Sequence, residues 1–166
     1  MIVFDASTLI LLAKINMLDL FISQVQDGVC IPQKVRSEVT AVEREETRFI
    51  IRCIEDGKIT VAKIKNTALA KKFSDDFNID AGEAEALALA IEKTASIVAT
   101  DDRNAIRACK ILKLDFITAV AVLIRAVEKG LIEKDEGLVK LHKLQSVGRY
   151  SKAIMEDAEQ QIRGGR

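Results

Sequence analysis

Apolar and polar positions along this chain fall into blocks of different length and period. Met1-Ile2-Val3-Phe4 is a short continuous apolar run, the pattern of a strand covered on both faces. From Ser7 to about Gln26, Leu9, Leu12, Ile15, Leu18 and Ile22 recur at helical spacing, with Asn16 as a break into two helices. Gly28 turns the chain into a short strand at Val29-Cys30-Ile31. Pro32 suits the first turn of a helix that carries Val35, Val39 and Val42 inward and ends in the charges of Glu43 to Glu46. A further helix over about 46–55 leads through Asp56-Gly57 to a strand at Ile59-Thr60-Val61. Residues 65–79 carry only a weak pattern; Ala68, Leu69 and Phe73 allow a helix without demanding one.

The second half repeats the alternation. A helix over 81–94 precedes a strand at 96–100, and a helix over 102–113 precedes a strand at 115–117. A helix over 119–128 stops at Gly130, and helices follow over 133–145 and from Ser151 to about 162, leaving Gly164-Gly165-Arg166 as a frayed tail. Strands alternating with helices predict an α/β fold: a parallel sheet with right-handed crossovers.

Composition narrows the class. The 166 residues suit one domain with its own core. Lys plus Arg and Asp plus Glu both number 25, so any attraction for nucleic acid must be local rather than global. Cys30, Cys53 and Cys109 are odd in number and widely spaced, which reads as reduced, buried thiols in a cytoplasmic protein. The apolar start has no basic leader and contains Asp5, and charges interrupt every long apolar stretch; neither a signal peptide nor a membrane span is expected. His142 stands alone, so neither a zinc site nor a Ser–His or Cys–His nucleophile is expected.

The candidate chemistry is acidic. Asp5 ends the first strand and precedes a helix, where Asp5 or Ser7 would cap the helix; it is also where ligands bind in open α/β sheets. Glu38 shares a helical face with Val35 and Val42, and a carboxylate on an apolar stripe costs on the order of several kcal/mol unless something satisfies it. A salt bridge is the plain alternative to a site. Asp80-Ala81-Gly82-Glu83 reads as a capping box, yet Glu83 also shares a face with Leu87 and Ala90, whereas Glu85 leans toward solvent. Asp101 and Asp102 end a strand and begin a helix, and one cap needs only one of them. Arg103 and Arg107 beside them, and Lys14 on the first helix, are either surface ion-pair partners or phosphate contacts. Carboxylates gathered at one sheet edge repel each other unless a cation sits among them, and a divalent cation among carboxylates suits phosphodiester chemistry.

Taken together, Ile2-Val3-Phe4-Asp5-Ala6-Ser7-Thr8-Leu9-Ile10, Ile31-Pro32 with Val35 and Glu38, Gly82-Glu83-Ala84-Glu85-Ala86-Leu87-Ala88-Leu89-Ala90, and Val98-Ala99-Thr100-Asp101-Asp102-Arg103 resemble the PIN-domain nucleases. The order and spacing match over about residues 1–125, closest to small prokaryotic PIN proteins related to the ribonuclease toxins of toxin–antitoxin pairs. The resemblance implies a three-layer α/β/α domain with a central parallel sheet; the helical extension over about 130–163 lies beyond the matched part, and its role is open. It implies Asp5, Glu38, Glu83 and Asp101 as catalytic metal-site carboxylates, Asp102 as a supporting acid in the metal site and Ser7 as a steadying hydroxyl. It further implies Mg²⁺ or Mn²⁺ as cofactor, RNA as substrate, an antitoxin protein as partner and a homodimer. The third acid is Glu here, where many toxin members carry Asp. A PIN-fold RNA- or protein-binding module without catalysis is the competing expectation. An aspartyl phosphatase is disfavoured because position 7 is Ser rather than a second Asp, and a receiver domain because neither its acidic pair nor its late Lys can be placed.

Overall fold

The computed structural model describes residues 1–95 and 97–164, so the expected strand residue Ser96 and the tail residues Gly165 and Arg166 lie outside the described residues. Five strands are described: β1 (Ile2–Phe4), β2 (Val29–Pro32), β3 (Ile59–Ala62), β4 (Ile97–Ala99) and β5 (Phe116–Ile117). All pair in parallel, in the order β3-β2-β1-β4-β5. The chain moves outward from β1 through β2 to β3 and then returns to the other side of β1 with β4. The strand order therefore reverses between β1 and β4, and a crevice at such a switch point is where open α/β sheets bind ligands.

The side chains of β1 alternate across the sheet. Ile2 and Phe4 enter one apolar cluster and Val3 the other. The first cluster takes in α1 (Ala6–Lys14), α2 (Leu18–Gln24), α3 (Gln33–Thr40), α4 (Glu45–Glu55) and α8 (Ala119–Glu128). The second takes in α5 (Thr67–Phe77), α6 (Ala81–Glu92) and α7 (Arg103–Leu112). The protein is thus a three-layer α/β/α sandwich with a central parallel sheet.

The weakly patterned stretch 65–79 becomes α5, capped by Asn66 accepting from the Leu69 N–H at 2.9 Å and ended by Asn78 in a left-handed conformation. Asn16, at φ 54°, makes the expected break between α1 and α2. Two linked expectations fail: α3 ends at Thr40, so Glu45 and Glu46 open α4 rather than close α3, and Val42 lies beyond α3 and is 53% exposed, leaving Val35 and Val39 as its inward stripe. The three cysteines are buried and unpaired.

The C-terminal helices α9 (Lys134–Val147) and α10 (Lys152–Arg163) pack with α8, and Leu141, Leu144, Met155, Ala158 and Ile162 enter the first cluster. Lys140 Nζ donates to the Ile15 carbonyl at 2.7 Å, satisfying a free carbonyl at the end of α1. The extension therefore shares the core of the sheet domain. Among the described residues no single helix is long and apolar enough to cross a membrane.

Candidate active site

Strand register brings the first two acids together. Phe4 pairs with Ala99 and Ala99 with Ile117, so Asp5, Thr100 and Thr118 leave the sheet side by side. The Asp5 N–H donates to the Ala99 carbonyl at 3.1 Å, and the Thr100 N–H to the Ile117 carbonyl at 3.0 Å. Asp101 follows one residue later.

Asp5 is only 1% exposed. Its Oδ1 caps α1 by accepting the Thr8 N–H at 2.8 Å, and Ser7 Oγ approaches the same oxygen at 3.4 Å. Its Oδ2 is buried without a hydrogen-bond partner. Burial pushes the carboxyl up from 3.8 to about 6; the Thr100 hydroxyl and the Thr8 contacts pull it back, and the Asp101 charge raises it further. The capping reading and the site reading thus describe different oxygens of one side chain.

Asp101 is the opposite case, with every oxygen occupied. Thr8 Oγ1 donates to Oδ2 at 2.8 Å, Tyr150 Oη donates to Oδ1 at 2.9 Å, and the Ala119 N–H at the start of α8 is shared by both at 3.2 and 3.1 Å. Burial raises its carboxyl, and these three donors counter that rise. Thr8 therefore bridges the pair: its amide holds Asp5 and its hydroxyl holds Asp101. Asp102 caps α7 through the Ala105 N–H at 2.8 Å.

The first turn of α6 carries the other acids. Glu83 forms the capping box with Asp80: its amide donates to Asp80 at 2.8 Å and its Oε2 accepts the Asp80 N–H at 3.0 Å. Burial pushes Glu83 up to about 7, the Asp80 N–H opposes this, and the charges of Asp80, Asp102 and Asp5 add to the rise. Glu83 thus feels the Asp5 end of the site. Glu38, on α3, lies against Gly82; a Cβ there would come within 2.7 Å of its Oε1, so any side chain at 82 would push that carboxylate aside. Burial raises Glu38, with the Asp80 charge next; Lys34 and the Gly82 amide oppose, and Glu85 adds a further rise. No basic side chain makes a salt bridge to Glu38 among the described residues. Glu85 is half-buried and accepts the Lys34 N–H at 3.3 Å, tying α6 to α3.

The acids form a row: Asp101 and Asp5 at the β1/β4 crevice, Glu83 beside them, and Glu38 across the α6 turn. No three of them, nor any other three His, Cys, Asp or Glu residues among those described, are grouped closely enough to hold an ion. Of the basic candidates, Lys14 faces Glu46 at 3.9 Å. Arg107 is exposed on α7. Arg103 lines a cleft that reaches Asp101. Sequence reading missed Thr8 and Tyr150. Thr8 was visible as a hydroxyl three residues after Asp5; nothing local marked Tyr150, which meets Asp101 from 49 residues away.

A model of the DUF3368 family, a PIN domain, matches residues 1–163. No curated protein and no solved structure gives a significant match. The match includes the extension that the motif resemblance left unaccounted for.

Proposed function

With the chain belonging to the DUF3368 PIN-domain family, a family of nuclease-type fold, we propose that it is a divalent-cation-dependent endoribonuclease acting at the β1/β4 crevice. The observation that carries this is Asp5: a buried carboxylate with one oxygen that accepts no hydrogen bond, beside a second, half-buried carboxylate, Asp101. Leaving an ionised oxygen without a donor is costly, and a hard cation is the partner whose chemistry fits an all-oxygen donor set.

The residues fit such an ion in kind. Mg²⁺ takes one or two protein carboxylates and completes its shell with water and substrate phosphate, so a pair of acids suffices where a closed cage does not exist. Asp5 Oδ2 and Glu83 would hold it, with Glu38, Asp101 and Asp102 adding negative potential from the same edge. When bound, the ion supplies charge neutralisation at phosphate and a more acidic water. The protein's own part is positional. Thr8 fixes the angle between Asp5 and Asp101, and the Asp80 amide fixes Glu83. Below about pH 6 for Asp5 and about pH 7 for Glu83, each carboxyl holds a proton when no cation is present, and binding a cation releases it.

RNA turnover that requires Mg²⁺ or Mn²⁺, stops in excess chelator and disappears in Asp5→Asn is the expected result. Full turnover in chelator would overturn the reading. The absence of a preformed three-acid group among the described residues favours a second reading, an RNA- or protein-binding PIN scaffold. That reading predicts binding without turnover at any cation concentration. A protein antitoxin and a homodimeric state belong to the toxin form of the first proposal, to be read from mass measurements of the chain alone and with its genomic neighbour.

A further inference from the structure

Beyond the acid row, a cleft of about 710 Å³ opens between the start of α7, α8 and the start of α10. Asp101 is among the residues that line it. Arg103, Arg125 and Arg149 line it, and all three are exposed. Among the described residues none of the three makes an ion pair, whereas eight other cationic groups do. The lining acids are two: Glu128, and Asp101, whose oxygens are already occupied by Thr8, Tyr150 and Ala119. The rest of the lining includes Ile154, which is 49% exposed, the half-buried Tyr150 and the buried Ile124.

Three unpaired guanidinium groups beside one exposed isoleucine and a half-buried tyrosine match one kind of ligand, an anionic chain that also offers flat apolar faces. Guanidinium forks bind phosphate oxygens bidentately. Unpaired bases can lie on an aliphatic or aromatic wall, whereas a duplex hides those faces in its own stack. Three helices also begin on the cleft, at Arg103, Ala119 and Lys152, and their amide ends add positive potential.

We propose that this cleft is the binding track for single-stranded nucleic acid, leading the chain to Asp101, and that the C-terminal extension exists in part to build it through Arg149 and Tyr150. The proposal rests on the nuclease reading for its direction, toward the acid row, but not for its test.

The test uses the full chain carrying Asp5→Asn, so that binding is measured without cleavage. Labelled oligouridylate, oligothymidylate of the same length and a duplex RNA are titrated by fluorescence anisotropy over a range of salt. Both single strands are expected to bind, and the duplex much more weakly. Adding Arg125→Gln and Arg149→Gln together weakens single-strand binding about tenfold or more, and lowers the slope of log affinity against log salt by about 0.7 per arginine. Lys143→Gln, on the exposed side of α9 and outside the cleft, changes neither. Circular dichroism confirms that each variant keeps its helices. Duplex binding as tight as single-strand binding, or unchanged affinity in the double arginine variant, overturns the cleft. If the unaltered chain cleaves nothing but the arginine effect is present, the nuclease reading fails and the cleft stands. If it cleaves RNA but the arginines have no effect, the cleft alone fails.

Discussion

Replacing Asp5 by Asn should remove activity and, without divalent cation, abolish the loss of stability that the wild type undergoes as pH rises to neutrality. The carboxyl is pushed from 3.8 to about 6, mainly by burial. At about 1.4 kcal/mol per pH unit, that rise corresponds to about 3 kcal/mol. The sign follows from proton counting: between those two values the folded chain holds a proton that the unfolded chain has lost, so stability falls as pH rises. It is fully present below about 3.8 and has reached its lower plateau above about 6. Asn carries no such dependence. It still caps α1 through its oxygen, but its amide nitrogen takes the place of the unpartnered Oδ2, at a cost of about 1–3 kcal/mol if it finds no acceptor. That cost is the same at every pH. The informative quantity is therefore the difference between variant and wild type at pH 7.5 minus the same difference at pH 4, expected to be about 2–3 kcal/mol in favour of the variant. Urea unfolding at the two pH values, in chelator, gives it directly. Adding Mg²⁺ at 100 times its dissociation constant should then restore about 2.7 kcal/mol to the wild type alone. A pH-independent difference, or equal stabilisation of both proteins by Mg²⁺, would show that Asp5 is neither strained in its charged form nor the ligand for the ion.

Two further substitutions probe the neighbours of that residue. Tyr150→Phe deletes one charge-assisted donor to Asp101 and should cost about 1–2 kcal/mol in urea unfolding at pH 7.5; no loss would mean the contact is not made in solution. Gly82→Ala improves helix propensity in α6 by up to about 1 kcal/mol but places a methyl where the Glu38 carboxylate lies. The fold should survive because the end of that side chain can swing away, while divalent-cation affinity by calorimetry should drop; unchanged affinity would remove Glu38 from the site.

The alternation of strands and helices was legible because each strand is a short apolar run ended by a polar residue, and the helices between them keep a single face. Where two effects competed, the pattern fell silent. Helix α5 has two buried apolar residues, Ala70 and Phe73, and depends on its Asn66 cap and Asn78 stop rather than on periodicity. Val42 satisfied helical spacing, but the helix ends at Thr40, so spacing counted a residue that never joins the face. Asp5 and Asp101 could be placed at one edge from the strand ends alone. Which of their oxygens is free could not, since that depends on Thr8 reaching both acids and on Tyr150 arriving from the far end of the chain. Glu85 was assigned to solvent from its helical position; its bond to the Lys34 amide is a tertiary contact that no single helix encodes.

The Tyr150 hydroxyl sits in the short joint between α9 and α10. Cargo fused after Arg163 leaves that joint intact. An insertion or cut within 148–151 would instead unhook one of the donors steadying Asp101 while every strand stayed in register. The protein would still look folded, yet its acidic edge would be loosened by an edit made nearly fifty residues downstream.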